Sequence, residues 1–318
     1  MSYYGLTRDF QGAGYFETEN HQQIIKELKV AIKQGQMIAV SGVVGSGKTT
    51  LLKVIRQELI KEKEVLVAKS LSVEKGRVNL GTLILALFYD LATDKDFKIP
   101  TQPEKRERIL QALIKRRQKP VALFIDEAHD LHGKTLIGLK RLIEVVQDSD
   151  GVLSIILAGH PKLKNDLRRP AMEEIGSRTM IFSLDGIQKQ KTDYIHWLLE
   201  TCLKKGVKRT DIFTDDALAR LTERLTTPLQ IEQHLRLAFE KAYRIGQKPV
   251  ETDIIDSILA KDIDALEPVL TRHGYDVKAL AELLDTKPAE IRAFLHGNLT
   301  PARTQELQNT LLTLGIPL

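Results

Sequence analysis

Gly42-Val43-Val44-Gly45-Ser46-Gly47-Lys48-Thr49 follows the apolar run Met37–Ser41 (MIAVS) and opens a helical pattern over Thr50–Ile60. The octapeptide satisfies G-x-x-x-x-G-K-[ST] in full, in the strand–loop–helix setting that the pattern requires. Its glycines let successive backbone N–H groups curl around an anion, and the helix N-terminus adds a favourable dipole. Lys48 is placed to reach the β- and γ-phosphates of ATP, and the Thr49 hydroxyl to ligate Mg²⁺. The expected nucleotide contacts are Gly42, Val43, Val44, Gly45, Ser46, Gly47, Lys48, Thr49 and Thr50.

A second apolar run, Val121–Ile125 (VALFI), ends in Asp126-Glu127. A strand ending in two carboxylates is common by itself. Following a P-loop by about eighty residues, it takes on the chemistry of nucleotide hydrolysis. Asp126 would hold Mg²⁺, and Glu127, one residue on, would orient or deprotonate the attacking water. The tetrad Asp126-Glu127-Ala128-His129 also spells the DEAH of one helicase class, but the chain is short for two such lobes.

Outward from these two motifs the chain divides into three zones. The runs Met37–Ser41, Val65–Ala68, Val121–Ile125, Val152–Leu157 and Met180–Leu184 alternate with helical patterns. Most are apolar without alternation, as strands buried on both faces are, so an α/β unit with a parallel five-stranded sheet is expected over 1–186. From Ile187 the β-type runs stop. Helical patterns over Thr192–Lys205, Asp215–Leu225, Ile231–Ile245 and Thr252–Leu259 make 187–267 an all-α domain. Residues 268–318 read as helices Val277–Leu284, Pro288–Leu295 and Ala302–Leu314, the first two joined by a three-residue turn in a helix-turn-helix pattern.

Composition narrows the function classes. The 318 residues are 42% hydrophobic and 28% charged, which describes a globular chain rather than a disordered one. A single cysteine, Cys202, excludes an internal disulfide framework and a cysteine-built zinc site. The net charge of +5, from 47 basic and 42 acidic residues, permits a nucleic-acid partner without demanding one. The longest apolar stretch, Leu80–Tyr89, is about half a membrane span. With no apolar leader in MSYYGLTRDFQGAG, no membrane partner and a cytoplasmic location are expected.

The order of these elements resembles an AAA+ ATPase: P-loop, Asp-Glu strand, a polar residue after the next strand, an arginine before the fifth strand, then a helical lid. The run Ala158-Gly159-His160-Pro161 is similar to one in the target-selection ATPases of DNA transposition (the Tn7, Mu and IS21 types) and the related ExeA-like group. The resemblance implies that His160 senses the γ-phosphate and that Arg178 is the finger supplied to a neighbouring subunit, with Arg168 and Arg169 as rivals. Tyr15 and Phe16 would stack on adenine. Lys75 and Arg77, or Lys134 and Thr135, would grip phosphate where a ring faces double-stranded DNA. Where the family's lid carries an arginine, this chain has Leu229 or Gln230, with Arg236 as a substitute about two turns on.

The C-terminal zone resembles the helix-turn-helix of phage repressors, with Arg292 and His296 on its second helix. Its five basic and five acidic residues cancel, so binding of protein and reading of DNA both stay open. The resemblance as a whole implies a slow ATPase that oligomerises with itself on duplex DNA, as a ring or filament, and recruits a transposase. A secretion or cell-wall ATPase of the ExeA-like kind, and a helicase loader, are the alternatives. The P-loop alone makes one expectation sharp: Lys48→Ala abolishes Mg²⁺-dependent ATP binding in calorimetry, and wild-type affinity in that variant would contradict the assignment.

Overall fold

Five strands form one wholly parallel sheet: β1 (Met37–Ser41), β2 (Leu66–Lys69), β3 (Val121–Ile125), β4 (Leu153–Gly159) and β5 (Thr179–Ser183), in the order β2-β3-β4-β1-β5. The computed structural model describes residues 2–69, 78–92, 99–184, 186–187, 189–260, 265–316 and 318. β1, β3 and β4 are buried along their whole length, as their uninterrupted apolar sequences require. The ranges lie within two residues of the sequence reading.

Among the described residues, seven helices go with the sheet: α1 (Glu19–Lys33), α2 (Lys48–Glu62), α3 (Leu80–Leu91), α4 (Pro103–Arg117), α5 (Gly133–Gln147), α6 (Pro161–Leu167) and α7 (Glu173–Gly176). The apolar run at Leu80 is α3, started by a reciprocal cap between Asn79 and Thr82 and buried through Leu83, Ile84, Leu87, Phe88 and Leu91. Among the described residues no helix is long and apolar enough to cross a membrane. The core of this unit lies between the sheet and α3, α4, α5 and α6, around Leu87, Phe88, Leu139, Leu123 and Ile155.

The register places the functional ends side by side. Ser41, the last residue of β1, pairs with Gly159, the last of β4, and Gly42 N–H donates to the Gly159 carbonyl at 3.1 Å. β3 lies on the other side of β4, with Ile125 opposite Leu157. The P-loop, the Asp-Glu pair and His160 therefore all leave the carboxyl edge of adjacent strands, where ligands of open parallel sheets bind.

Contacts divide the chain into two units: Thr18–Gly42 with Lys48–Leu184, and Met1–Glu17 with Val43–Gly47 and Asp185–Leu318. The N-terminal seventeen residues, expected in the α/β domain, belong instead with the helical unit. Tyr4, Leu6 and Phe10 are buried in its core with Phe213 and Phe239, and Thr7 N–H donates to the Cys202 carbonyl at 2.8 Å. That unit contains α8 (Lys191–Cys202), α9 (Asp215–Arg224), α10 (Pro228–Ile245) and α11 (Thr252–Ile258). α10 starts before the expected Ile231, with Pro228 as its first residue. Thr227 caps it, with Gln230 completing a capping box.

The last four helices are α12 (Leu266–Arg272), α13 (Val277–Leu283), α14 (Pro288–Leu295) and α15 (Pro301–Thr313). They have an apolar core of their own around Leu270, Tyr275, Leu280, Ile291, Phe294 and Leu311. The expected helix-turn-helix is α13 and α14.

One close approach inside the α/β unit depends on a missing side chain. A Cβ on Gly176, at the end of α7, would stand 1.9 Å from the carbonyl oxygen of Leu167, at the end of α6. Gly176→Ala should cost about 1–3 kcal/mol through forced separation of these helices. Thermal unfolding of the two proteins checks this, and an unchanged transition would show that the helices part freely.

Candidate functional site

At the carboxyl edge of the α/β unit, the Thr49 hydroxyl donates to Asp126 Oδ2 at 2.8 Å. The other carboxylate oxygen, Oδ1, accepts the Glu127 backbone N–H at 2.9 Å. A hydroxyl facing a carboxylate is a hard-oxygen pair suited to Mg²⁺, so the chemistry of the donors fits the expected ion. Lys48 is buried, and its Nζ donates to the Gly42 carbonyl at 2.8 Å. Burial lowers its pKa, opposed by the charges of Glu127 and then Asp126.

Glu127 occupies the left-handed region at φ +53°, unusual for a residue with a side chain. This backbone turn directs a carboxylate out of the strand end, where it stays 47% exposed. His129, two residues on, is 10% exposed. Its Nε2 lies 3.5 Å from Glu127 Oε2 and 3.7 Å from Asp130 Oδ1. Burial holds the imidazole below its usual pKa, against the pull of Asp130 and Glu127 and with the help of Lys48 and Lys162. Burial thus favours the neutral ring, and the carboxylate beside Nε2 favours the tautomer with the proton there.

His160 caps the start of α6, ahead of Pro161. Its ring stacks on that of His129, with centroids 3.7 Å apart and planes 20° from parallel. Glu127, His129 and His160 together present three donors of the kind that hold a transition metal. Two nearly parallel rings, however, aim their lone pairs side by side. An ion about 2.0–2.1 Å from both nitrogens would lie far out of both ring planes. As arranged, the trio is a stack and not a metal site.

The loop Val43–Gly47 is described with the helical unit. Gly45 and Gly47 have φ of +78° and +96°, open only to glycine at low cost, and they give the loop its anion-cradling curl. Leu229 and Thr227 at the start of α10 sit over Gly45: a Cβ there would stand 2.6 Å from Leu229 Cβ and 3.0 Å from Thr227 Oγ1. Leu229 thus occupies the place beside the loop where a lid arginine was expected. Gln230 is committed to the cap of α10, where it accepts from the Thr226 and Thr227 N–H groups at 3.0 and 3.2 Å. Arg236, the expected substitute, pairs with Asp9 at 3.2 Å. From the C-terminal helices, the Arg272 carbonyl accepts the Val44 N–H at 3.0 Å.

The other expected residues separate. Phe16 packs edge-on against Tyr194 and obliquely on Trp197, so its ring is a core contact and not an open adenine platform. Tyr15 beside it is half-buried. Arg178 is 64% exposed and pairs with Glu144 at 2.7 Å, a carboxylate it shares with Lys140. Of its rivals, Arg169 pairs with Asp166 at 2.9 Å, and Arg168 is exposed. Lys134 is exposed on α5. Thr135 is buried on the inner side of that helix and cannot meet a phosphate, which corrects its expected DNA contact. Lys75 and Arg77 lie outside the described residues.

Two neighbours of the motifs were not read as site residues. His129 was visible only as the last letter of the DEAH tetrad. Nothing in the sequence marks Arg272, because its contact is made by a backbone carbonyl.

This arrangement is the hydrolytic edge of a P-loop ATPase, and comparison with known proteins agrees. Residues 31–167 match the family described as AAA domain, and this part of the chain is an AAA-family ATPase domain. A domain of this kind is an ATPase that takes ATP with Mg²⁺. Over 218 residues, 65% of its length, it is 25% identical to General secretion pathway protein A of Aeromonas hydrophila, of which the match spans 37%. In fold it is similar to Cdc6p from Pyrobaculum aerophilum, with a TM-score of 0.54 and 14% identity over 95% of this chain and 87% of that one. It is also similar to Drosophila ORC, solved bound to DNA, with a TM-score of 0.55 and 15% identity over 95% of this chain and 82% of that one.

Hydrolysis then follows from the groups in place. Lys48 would supply positive charge to the phosphates, Thr49 and Asp126 would hold Mg²⁺, and Glu127 would accept a proton from the attacking water. Glu127→Gln keeps the shape and loses the base. Turnover should fall about 10²–10⁴-fold while ATP affinity is retained. Steady-state hydrolysis with calorimetric ATP titration checks this, and wild-type turnover would remove Glu127 from the role.

Proposed function

We propose that this ATPase is a regulator of DNA transposition, which assembles with ATP into a ring or helical filament on duplex DNA and recruits or activates a transposase at the target. The observation that carries this reading is the joining, in one chain, of an AAA-family ATPase domain to C-terminal helices that have a core of their own and that we read as a helix-turn-helix. The Ala158–Pro161 run, similar to that of the transposition ATPases, supports it further. In this reading the protein works in the cytoplasm, and Arg178 leaves Glu144 to meet ATP on a neighbouring copy, where its planar charge stabilises the transferring phosphoryl group. Tyr15 stands beside adenine, and Lys134, with Lys75 and Arg77, meets the DNA backbone.

The similarity to General secretion pathway protein A favours a second reading, an ATPase that energises secretion or cell-wall remodelling. One titration separates the two. Under the first reading, the full chain with ATP co-sediments with random-sequence duplex. Its affinity drops about a thousandfold or more between 50 and 200 mM salt, as the release of counterions from six or more phosphates requires. No ATP-dependent complex at low salt would reject the first reading and leave the second.

A further inference from the structure

His129 has no part in the hydrolytic scheme above, yet it touches Glu127, which that scheme uses, and His160, the expected γ-phosphate sensor. Glu127 is about half exposed on a left-handed backbone, so packing alone does not fix its carboxylate. The side chain beside it is His129, whose Nε2 is within half an ångström or so of hydrogen-bond reach, at 3.5 Å from Oε2. On its other side, His129 lies flat on the ring of His160. The backbone leaves little slack: a Cβ on Gly159 would stand 3.1 Å from the His129 nitrogen and 2.9 Å from Leu163 Cδ2. The end of β4 is thus pressed against the turn after β3. A largely covered ring stacked at 3.7 Å in such a place cannot shift far without its partner.

We propose that His129 is a positioning residue: its Nε2–H steers the Glu127 carboxylate, and its stack on His160 makes that steering depend on where His160 stands. When His160 is drawn toward the γ-phosphate, the stacked pair moves together and Nε2 closes on the carboxylate, setting it toward the attacking water. When His160 is not engaged, the carboxylate is left loose in solvent. The proposal rests on the reading of Glu127 as the base and His160 as the phosphate-facing group.

Four variants of the full chain test it, with turnover at saturating ATP and ATP affinity by calorimetry as readouts. His129→Phe keeps a stacking ring and loses the donor. It should slow turnover about tenfold or more with ATP affinity unchanged, the signature of lost orientation. His129→Gln keeps a donor of similar reach and should recover most of that loss. His160→Ala should slow turnover as well, and His129→Phe/His160→Ala together should be no slower than the slower single variant, because the two rings act as a unit. Wild-type turnover in His129→Phe, equal slowing in His129→Gln, or multiplied effects in the double variant would each overturn the proposal. Glu127→Gln keeps the failures apart. If it turns over normally, the base assignment falls; if it stalls while His129→Phe does not, only the positioning role falls.

Discussion

The bond from the Gly42 N–H to the Gly159 carbonyl is the constraint on which the site depends. It extends the β1–β4 ladder one step past the strand ends, so the chain cannot begin the phosphate loop until it has been registered against β4. Lys48 closes the same corner from the other side by donating to the carbonyl of Gly42. Because β4 also pairs with β3, that register fixes where Asp126 lies relative to Thr49, and their 2.8 Å contact follows. Three motifs far apart in sequence are brought together by the order of three strands.

Much of this was legible because it is written in local chemistry. The buried strands announce themselves as apolar runs, and the P-loop needs its glycines, lysine and threonine at fixed spacing for reasons that do not depend on the rest of the chain. Lys48, Thr49, Asp126 and Glu127 accordingly lie together as expected. What was not legible lies in contacts that pattern does not encode. Tyr4, Leu6 and Phe10 read as a short mixed segment, and only their burial among α8–α10 assigns them to the helical unit. Thr135 and Lys134 look alike as polar residues after the Asp-Glu strand, but the helical turn places one inward and one outward. The start of α10 lies before Ile231 because a proline, barred from the helix interior, suits a first turn.

The lid shows how a sequence departure becomes a structural one. A leucine where an arginine was expected does not leave a gap. Leu229 packs its Cβ against Gly45, and the first turn of α10 closes over the loop through van der Waals contact and not through charge. A guanidinium attracts phosphate from a distance, whereas apolar contact acts only when surfaces touch.

The bond between Val44 and Arg272 bears on how the chain can be dissected. Residue 272 lies beyond the boundary at which the helical lid was expected to end, so a shortened protein stopping there would lose more than its helix-turn-helix. It would expose a backbone donor in the phosphate loop, along with the apolar surfaces of Val44 and Leu229 that now share a groove with Glu267, Pro268 and Arg272. The nucleotide affinity of such a fragment would describe an altered loop and not the parent ATPase. A cut after α12, which keeps Arg272, separates the two effects and gives the truer reference for what the tail contributes.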